Sequence, residues 1–393
     1  MAASDIKYRL LVPFLLHSAL FQIVTSLTRV TVSYRAIELD LPITWYGAIS
    51  SGYALLPIFV ALPLGRWIDT GRDSQAIWAG SALTLAANLG LWFAPNSPWH
   101  LLTFTVIGGI GHLFLMAGHQ MFVLRCTGAA GRESVLGHYM VALAIGQMIG
   151  PLIVGWSAGS AAVAPTAPLF ALALALSAVA MVGAFAMPAS KPDPAETRRH
   201  TPASVGELMR VRGLVVVILA SVMTVASMDL FMIYMPLLGA ERGIGAWHVG
   251  MLLTTRALAS IASRLFYAHM IAALGRANLT LATMVCGAVG FAVLAAPVPL
   301  PAMYFAVACM GFGLGLSVVL CLSNVVELAP TSARGIAMTM RLTGNRMGQF
   351  IFPFFAGLLG AAAGVGAILG VTSVALLASA VATWRSIAAR KSS

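Results

Sequence analysis

Inside the long apolar runs of this chain, very few residues could do chemistry. Asp229 is the only acid well inside any of these runs. It lies roughly 16 residues, or about 24 Å, along its run at 1.5 Å per helical residue. Arg256 lies about ten residues, or roughly 15 Å, into the next run. Arg346, with Asn345 beside it, lies about as deep in a later run, and Arg29 sits in the first. Ionisable groups in such surroundings are costly, so they mark places where a ligand or a proton is handled. A lone buried carboxylate can bind and release a proton. It can equally pair with an arginine such as Arg256, and the two states can alternate during a working cycle. Arginines do not lose their charge, so each needs an anionic partner or a wet cavity. One acid against three arginines leaves the interior net positive. That suits a carboxylate, phosphate or hydroxamate-like anion, which a guanidinium can grip with two parallel bonds. For Arg29 and Arg341, snorkelling or bonding to backbone carbonyls serves as well. His112 and His119 stand i, i+7 apart, on one helical face, where they could relay protons or simply pack; His17 is the least informative of the three.

The elements that position these groups must be membrane helices. Of 393 residues, 60% are hydrophobic and only 9% are charged. A soluble domain carries roughly 25% charged residues. The formal charge of +11 does not indicate nucleic-acid binding, because the basic residues sit in small groups between apolar runs and form no stripe. Windows of about 20 apolar residues can cross the hydrocarbon core. They fall near 10–34, 43–66, 75–94, 100–124, 134–157 and 167–187, then 213–238, 246–270, 277–296, 301–326, 333–357 and 362–386. Lipid offers no partner to free N–H and C=O groups, so each of the twelve spans is expected to be a helix. Lys7 and Arg9 before the first run resemble the start of a signal peptide, but no cleavage site follows promptly, and a retained first helix is expected. Cys126, Cys286, Cys309 and Cys321 form no C-x-x-C pair, so neither a disulfide framework nor a zinc site is indicated. No metal and no cofactor is expected.

The spans divide six plus six. Residues 188–212 contain Lys191-Pro192-Asp193-Pro194, Arg198, Arg199, Arg210 and Arg212, and read as a cytoplasmic linker between an N-terminal bundle, 1–187, and a C-terminal bundle, 213–393. Ser204 and Glu207 have capping-box spacing, so a short surface helix is expected before the seventh span. The termini and even-numbered connections hold Lys7, Arg9, Arg66, Arg72, Arg125, Arg132, the linker arginines, Arg264, Arg276, Arg334 and Arg385; the odd-numbered ones hold only Arg35 and Arg242. Both termini are therefore expected in the cytoplasm, in a multi-pass protein of the inner (cytoplasmic) membrane. The halves also repeat. Gly137, Gly146 and Gly150 match Gly335, Gly344 and Gly348 at one constant offset, Trp45-Tyr46-Gly47 resembles Trp247-His248-Val249-Gly250, and Gly71-Arg72 matches Gly275-Arg276. At the offset of the Gly47–Gly250 match, the first-half counterpart of Asp229 is Ser26.

Over essentially its whole length the chain resembles the major facilitator superfamily. The loop Gly65-Arg-Trp-Ile-Asp69-Thr-Gly71-Arg72-Asp73 is similar to the family's G-x-L-A-D-R-x-G-R-K loop, one residue shorter and ending in Asp73 in place of a base. The resemblance implies a latch on the cytoplasmic side, with Asp69 facing the positive end of the eleventh span or Arg341 there. The fifth span, Gly137-x8-Gly146-x3-Gly150-Pro151-x3-Gly155, looks like the antiporter motif of the drug:H⁺ antiporter branch, with Val154 in place of a glycine. Its small residues permit close helix approach and Pro151 permits a bend. The fourth span departs from the family, having Thr105 where the branch carries an arginine linked to proton transfer. Gly311, Gly313 and Gly315 fit close packing or a flexible gate.

The expected function is secondary active transport by alternating access, as a monomer whose partners are protons, lipid and a small molecule. The resemblance implies proton-coupled efflux of an amphipathic or anionic compound. Arg29, Arg256, Asn345 and Arg346 would bind it, Asp229 and His112 would couple protons, and Gly65, Asp69, Gly71, Arg72, Gly137, Gly146, Gly150 and Pro151 would carry the conformational change. The same arginines would serve a proton-symport importer of an organic acid or siderophore-like anion. A membrane enzyme would need clustered metal ligands or a nucleophile beside a base, and no H-E-x-x-H or similar constellation is present.

Overall fold

The computed structural model describes residues 8–93, 96–126, 132–187, 205–211, 213–330 and 334–388. They form α1 (Tyr8–Glu38), α2 (Ile43–Asp69), α3 (Asp73–Phe93), α4 (Pro98–Cys126), α5 (Arg132–Ala158), α6 (Thr166–Ala184), α7 (Val205–Met209), α8 (Leu214–Glu241), α9 (Ala246–Leu265), α10 (Tyr267–Ala295), α11 (Leu300–Leu328) and α12 (Arg334–Ala388). Among the described residues there is no strand. Ten of these stretches are long and apolar enough to cross a membrane. The tenth, Ile336–Ala388, is 53 residues long, far beyond one crossing. It is broken at Gly364, whose φ of 78° takes it out of the helix, so it supplies the eleventh and twelfth spans. The helix α9 has the length but carries Thr254, Thr255, Arg256, Ser260, Ser263 and Arg264, which lower its hydropathy. The helices thus account for the twelve expected spans. Large apolar side chains such as Phe93, Trp156, Val182, Phe305 and Val374 lie open on the helix surfaces, as lipid contact requires and water would not favour.

Two compact units emerge. The first comprises residues 1–41, 52–200 and 239–251, the second 42–51, 201–238 and 252–393. In the first, α1 packs on α5 and α6, and α3 packs on α4 and α6. Its core joins Phe14 and Phe21 of α1, Ile77 of α3, Leu115 and Phe122 of α4, and Val135 and Tyr139 of α5. In the second, α10 packs on α11 and α12. There the short helix α7, expected from sequence, docks Leu208 among Leu214, Val217, Val325 and Ala337. The linker residues 188–204 and 212, including Ser204 of the expected capping box, lie outside the described residues.

The repeat seen in sequence recurs in local structure. α1 ends with Asp40 at φ 49°, Leu41 N–H donating to Ala36 O (3.0 Å) and Asp40 N–H to Ile37 O (3.0 Å). α8 ends in the same way, with Gly243 at φ 65°, Ile244 N–H donating to Gly239 O (2.8 Å) and Gly243 N–H to Ala240 O (3.2 Å). Each is a left-handed helix terminus that satisfies the last carbonyls before the chain turns. Gly71 (φ 90°) and Gly275 (φ 71°) likewise both take a positive φ at the matched Gly-Arg pairs.

Candidate functional site

The second unit holds Asp229, Arg256, Arg341 and Arg346. Asp229 on α8 receives a hydrogen bond at Oδ2 from Gln349 Nε2 on α12, at 2.6 Å. The other end of that amide, Oε1, accepts from Arg346 Nη1 at 3.0 Å. Arg346 and Gln349 are one helical turn apart, hence on one face. Arg256 on α9 is only 6% exposed, and its Nε and Nη1 are buried with no hydrogen-bond partner among the described residues. Asp229 is the acid whose charge acts on it. Buried donors without partners cost about 1–3 kcal/mol each, more when charged, so this guanidinium is held ready for an acceptor. Its place is fixed by glycine: a Cβ on Gly311 of α11 would stand 2.5 Å from Arg256 O, and one on Gly315 would stand 2.7 Å from Ser260 Cα. Gly311 and Gly315 thus set α11 close against the polar face of α9, and Gly313 between them faces α10, where a Cβ would stand 2.5 Å from Thr283 O.

Asn345 belongs to a second cluster. Its Oδ1 accepts from Ser221 Oγ of α8 at 3.1 Å, and Ser221 Oγ in turn accepts from Arg341 Nη1 at 3.2 Å. Arg341 is buried, with Nε left without a partner among the described residues. Arg346 and Asn345, adjacent in sequence, thus turn toward different neighbours. Arg341 meets Ser221; the side chain of Asp69, for which the sequence offered Arg341 or the end of the eleventh span as a partner, lies outside the described residues.

In the first unit, Arg29 of α1 places its Cζ 4.8 Å from the centroid of the Tyr53 ring on α2, a cation–π contact. His112 packs between Phe21 (5.1 Å between centroids) and Tyr53 (5.5 Å). His119 is fully buried, and its Nε2 lies 2.9 Å from Nδ1 of His17. Ser81 Oγ lies 3.3 Å from the other nitrogen of His17. Phe14, Phe21 and Tyr139 ring the pair. His17, the histidine that sequence made least of, is thus the direct partner of His119, and the two tie α1 to α4.

The conformational motifs take definite places. Gly146 and Gly150 of α5 receive α1: a Cβ on Gly146 would stand 2.6 Å from Ala19 O, and one on Gly150 would collide with Ser26 Oγ and lie 2.7 Å from Leu27 N. Ser26 Oγ donates to Gly146 O at 3.0 Å. Further along α5, Pro151 O and Gly155 abut Gly250 of α9, where a Cβ would lie 2.7 Å from Pro151 O and from Gly155 Cα. Among the described residues nothing lies within 4 Å of a Cβ added at Gly65 or Gly137. In the loop after α2, Gly71 N–H donates to Ile68 O (2.9 Å), and Arg72 lies over the Trp67 ring at 5.7 Å.

Twelve spans with a charged network held inside one unit define a polytopic membrane transporter fold. The model of the Major Facilitator Superfamily matches residues 14–247 and 217–393, and the chain belongs to that family. Among solved structures it is similar to a point mutant of the nucleoside transporter NupG, with TM-score 0.80, 14% identity, and 95% of this chain and 98% of that chain covered. It is also similar to a D-xylose-proton symporter, with TM-score 0.78, 14% identity and 97% and 98% coverage. The human organic anion transporter MFSD10 (TETRAN) gives TM-score 0.67, 15% identity and 96% and 99% coverage. No curated protein matches the sequence. At these identities the likeness is one of fold, and proteins with such different cargoes share it.

Sequence reasoning missed Gln349 and Ser221. Both are polar residues inside apolar helices, and Gln349 stands one turn from Arg346, a spacing that could have flagged it.

Proposed function

We propose that this protein is a proton-coupled secondary transporter of a small anionic or amphipathic organic molecule, working by alternating access in the inner membrane with both termini in the cytoplasm. The observation that carries this proposal is Arg256, a buried guanidinium on a membrane-spanning helix with two N–H-bearing nitrogens that have no partner among the described residues, while Gln349 already occupies one carboxylate oxygen of Asp229. A substrate carboxylate or phosphate supplies the missing acceptor. Arg346 extends the binding surface along α12, while Asn345, beside it in sequence, would serve from the neighbouring Ser221–Arg341 cluster. Arg29, and His112 beside Tyr53, contribute from the first half, and Asp229 carries the proton. The halves 1–187 and 213–393, joined by the linker 188–212, are the moving parts of a monomer. A polycationic drug is disfavoured, because the net positive interior repels it.

Efflux by antiport is the direction that the fifth-span motif supports by resemblance. Uptake of an organic anion by proton symport is the second reading, favoured by the bond network from Arg346 through Gln349 to Asp229. Inverted vesicles with an imposed pH gradient separate the two, using a panel of labelled mono- and dicarboxylates and organic phosphates. Accumulation driven by an acid-inside gradient means antiport; its loss there, with accumulation under the opposite gradient, means symport. Flux of every anion that is unchanged in Arg256→Ala removes Arg256 from the site, and coupling unchanged in Asp229→Asn removes Asp229 from the coupling role.

A further inference from the structure

We propose that the substrate is an elongated dianion, with one acidic end on Arg256 and the other on a second subsite built by Arg341, Ser221 and Asn345. The inference rests on the transport reading above and narrows its substrate class.

Arg341 of α12 is 8% exposed, and its Nε is buried with no partner among the described residues. Its Nη1 donates to Ser221 Oγ, which donates in turn to Asn345 Oδ1. Arg341 and Asn345 stand one turn apart on α12 and so share a face. The titratable group whose charge acts on Arg341 is the thiol of Cys321 on α11, where Arg256 has the carboxylate of Asp229. A hydroxyl and a thiol leave the guanidinium without an anion, and a buried charge without one is costly. The fold itself does not ask for this charge. At the offset that matches Gly146 with Gly344, Arg341 corresponds to Leu143, which packs in the core of the first unit. At the offset that matches Ser26 with Asp229, Ser221 corresponds to Ser18, whose hydroxyl donates to Phe14 O of its own helix. One half fills the place with leucine and keeps its serine to its own helix. The other sets a guanidinium there and turns the serine to it.

Two helices give the distance between the subsites. On α8, Ser221 marks the Arg341 end and Asp229 the Arg256 end, roughly 12 Å apart at 1.5 Å per residue. On α11, Cys321 marks the first end and Gly311, packed on the backbone of Arg256, the second; these lie roughly 15 Å apart. A gripped carboxylate stands about 3 Å from its guanidinium nitrogens. Acids reaching inward from both ends are then roughly 6 Å apart, and acids lying beside their arginines roughly 12 Å. An extended chain advances about 1.3 Å per bond, the three bonds between successive Cα atoms spanning about 3.8 Å. Straight-chain dicarboxylates of about six to ten carbons match this span, and succinate is too short.

Binding to the detergent-purified full-length protein tests this, as dissociation constants from thermal-shift titrations with hexanoate, octanoate, succinate, adipate, suberate and sebacate. In the parent protein the best of adipate, suberate and sebacate should bind at least about tenfold tighter than octanoate, because tethering makes the second contact intramolecular. Succinate should lack that advantage. Arg341→Met should bring the best dicarboxylate to within about twofold of octanoate, since the tether then has no second contact. Arg341→Lys, which keeps the charge, should recover part of the difference. The chain-length profile is read in the parent protein, so it decides the matter even where a variant fails to fold. Long dicarboxylates and octanoate bound alike in the parent, or a dicarboxylate advantage that survives Arg341→Met, overturns the proposal and leaves a single-headed anion on Arg256. If none of these probes stabilises the parent, the proposal also fails; stabilisation by other anions then keeps the transport reading, and none at all strikes both.

Discussion

Replacing Gly150 by alanine tests the packing that underlies the fifth-span motif. An added Cβ would meet Ser26 Oγ, with Leu27 N at 2.7 Å and Ser26 Cβ at 2.9 Å. Two of those three atoms belong to α1 side-chain positions that could give a little, but Leu27 N is backbone, so α1 itself must move away from α5. Overpacking of this kind costs about 1–3 kcal/mol. Moving α1 also stretches the 3.0 Å bond from Ser26 Oγ to Gly146 O, and interhelical bonds in membranes average about 0.6 kcal/mol. The gain in helix propensity, about 0.5–1 kcal/mol for glycine to alanine, offsets part of this. The net expectation is a loss of about 2 kcal/mol, or a melting midpoint lower by roughly 4–8 °C for a unit of this size. Thermal unfolding of the detergent-purified protein measures it. Gly137→Ala is the control: nothing lies within 4 Å of its added Cβ, so it should match or slightly exceed the parent. Ser26→Gly in the Gly150→Ala background should restore only part of the loss, because the clash with Leu27 N persists. A Gly150→Ala protein as stable as Gly137→Ala would refute the close approach of α1 and α5.

Other outcomes follow from the same geometry. His119→Ala should destabilise by about 3 kcal/mol, since it opens a cavity among Phe14, Phe21 and Tyr139 and deletes the bond to His17; the same thermal assay should show His112→Ala as milder. Glu38, which accepts from Arg35 at 2.6 Å and from the backbone N–H and hydroxyl of Thr166 at the start of α6, should cost about 1 kcal/mol when changed to alanine, with most of the loss persisting at high salt because the Thr166 bonds are not an ion pair. Gly275→Ala should cost about 1–3 kcal/mol, because its φ of 71° and ψ of 162° lie in a region essentially confined to glycine, and thermal melting checks this as well.

Much of the fold was legible because lipid leaves few options. Long apolar runs had to be helices, the basic residues clustered between them, and matched glycines marked two halves; Gly71 with Gly275 and Gly47 with Gly250 all recur at equivalent places. Hydropathy divided the last long run between 357 and 362 but could not show that the break itself falls at Gly364. The site was legible only as a set of costly residues. Asp229, Arg256 and Arg346 stood out because charge inside an apolar run is expensive. Gln349 is neutral and inexpensive, so nothing in composition singled it out, although it joins two of the three. Adjacent Asn345 and Arg346 looked like one feature in sequence, yet a helix turns about 100° per residue, and Asn345 meets Ser221 while Arg346 meets Gln349. The glycines of the fifth span suggested a direction of transport by resemblance; in the fold they are contact surfaces for α1 and α9.

Ligand stabilisation of the purified protein tests most directly whether Arg256 receives the substrate. A thermal-shift screen of mono- and dicarboxylates, organic phosphates and hydroxamates should find at least one anion that raises the midpoint, since a ligand at a hundred times its Kd adds about 2.7 kcal/mol to the folded state. Arg256→Ala should abolish that shift while Gly137→Ala keeps it. Stabilisation by anions that survives Arg256→Ala, or stabilisation confined to cationic compounds, would contradict the account.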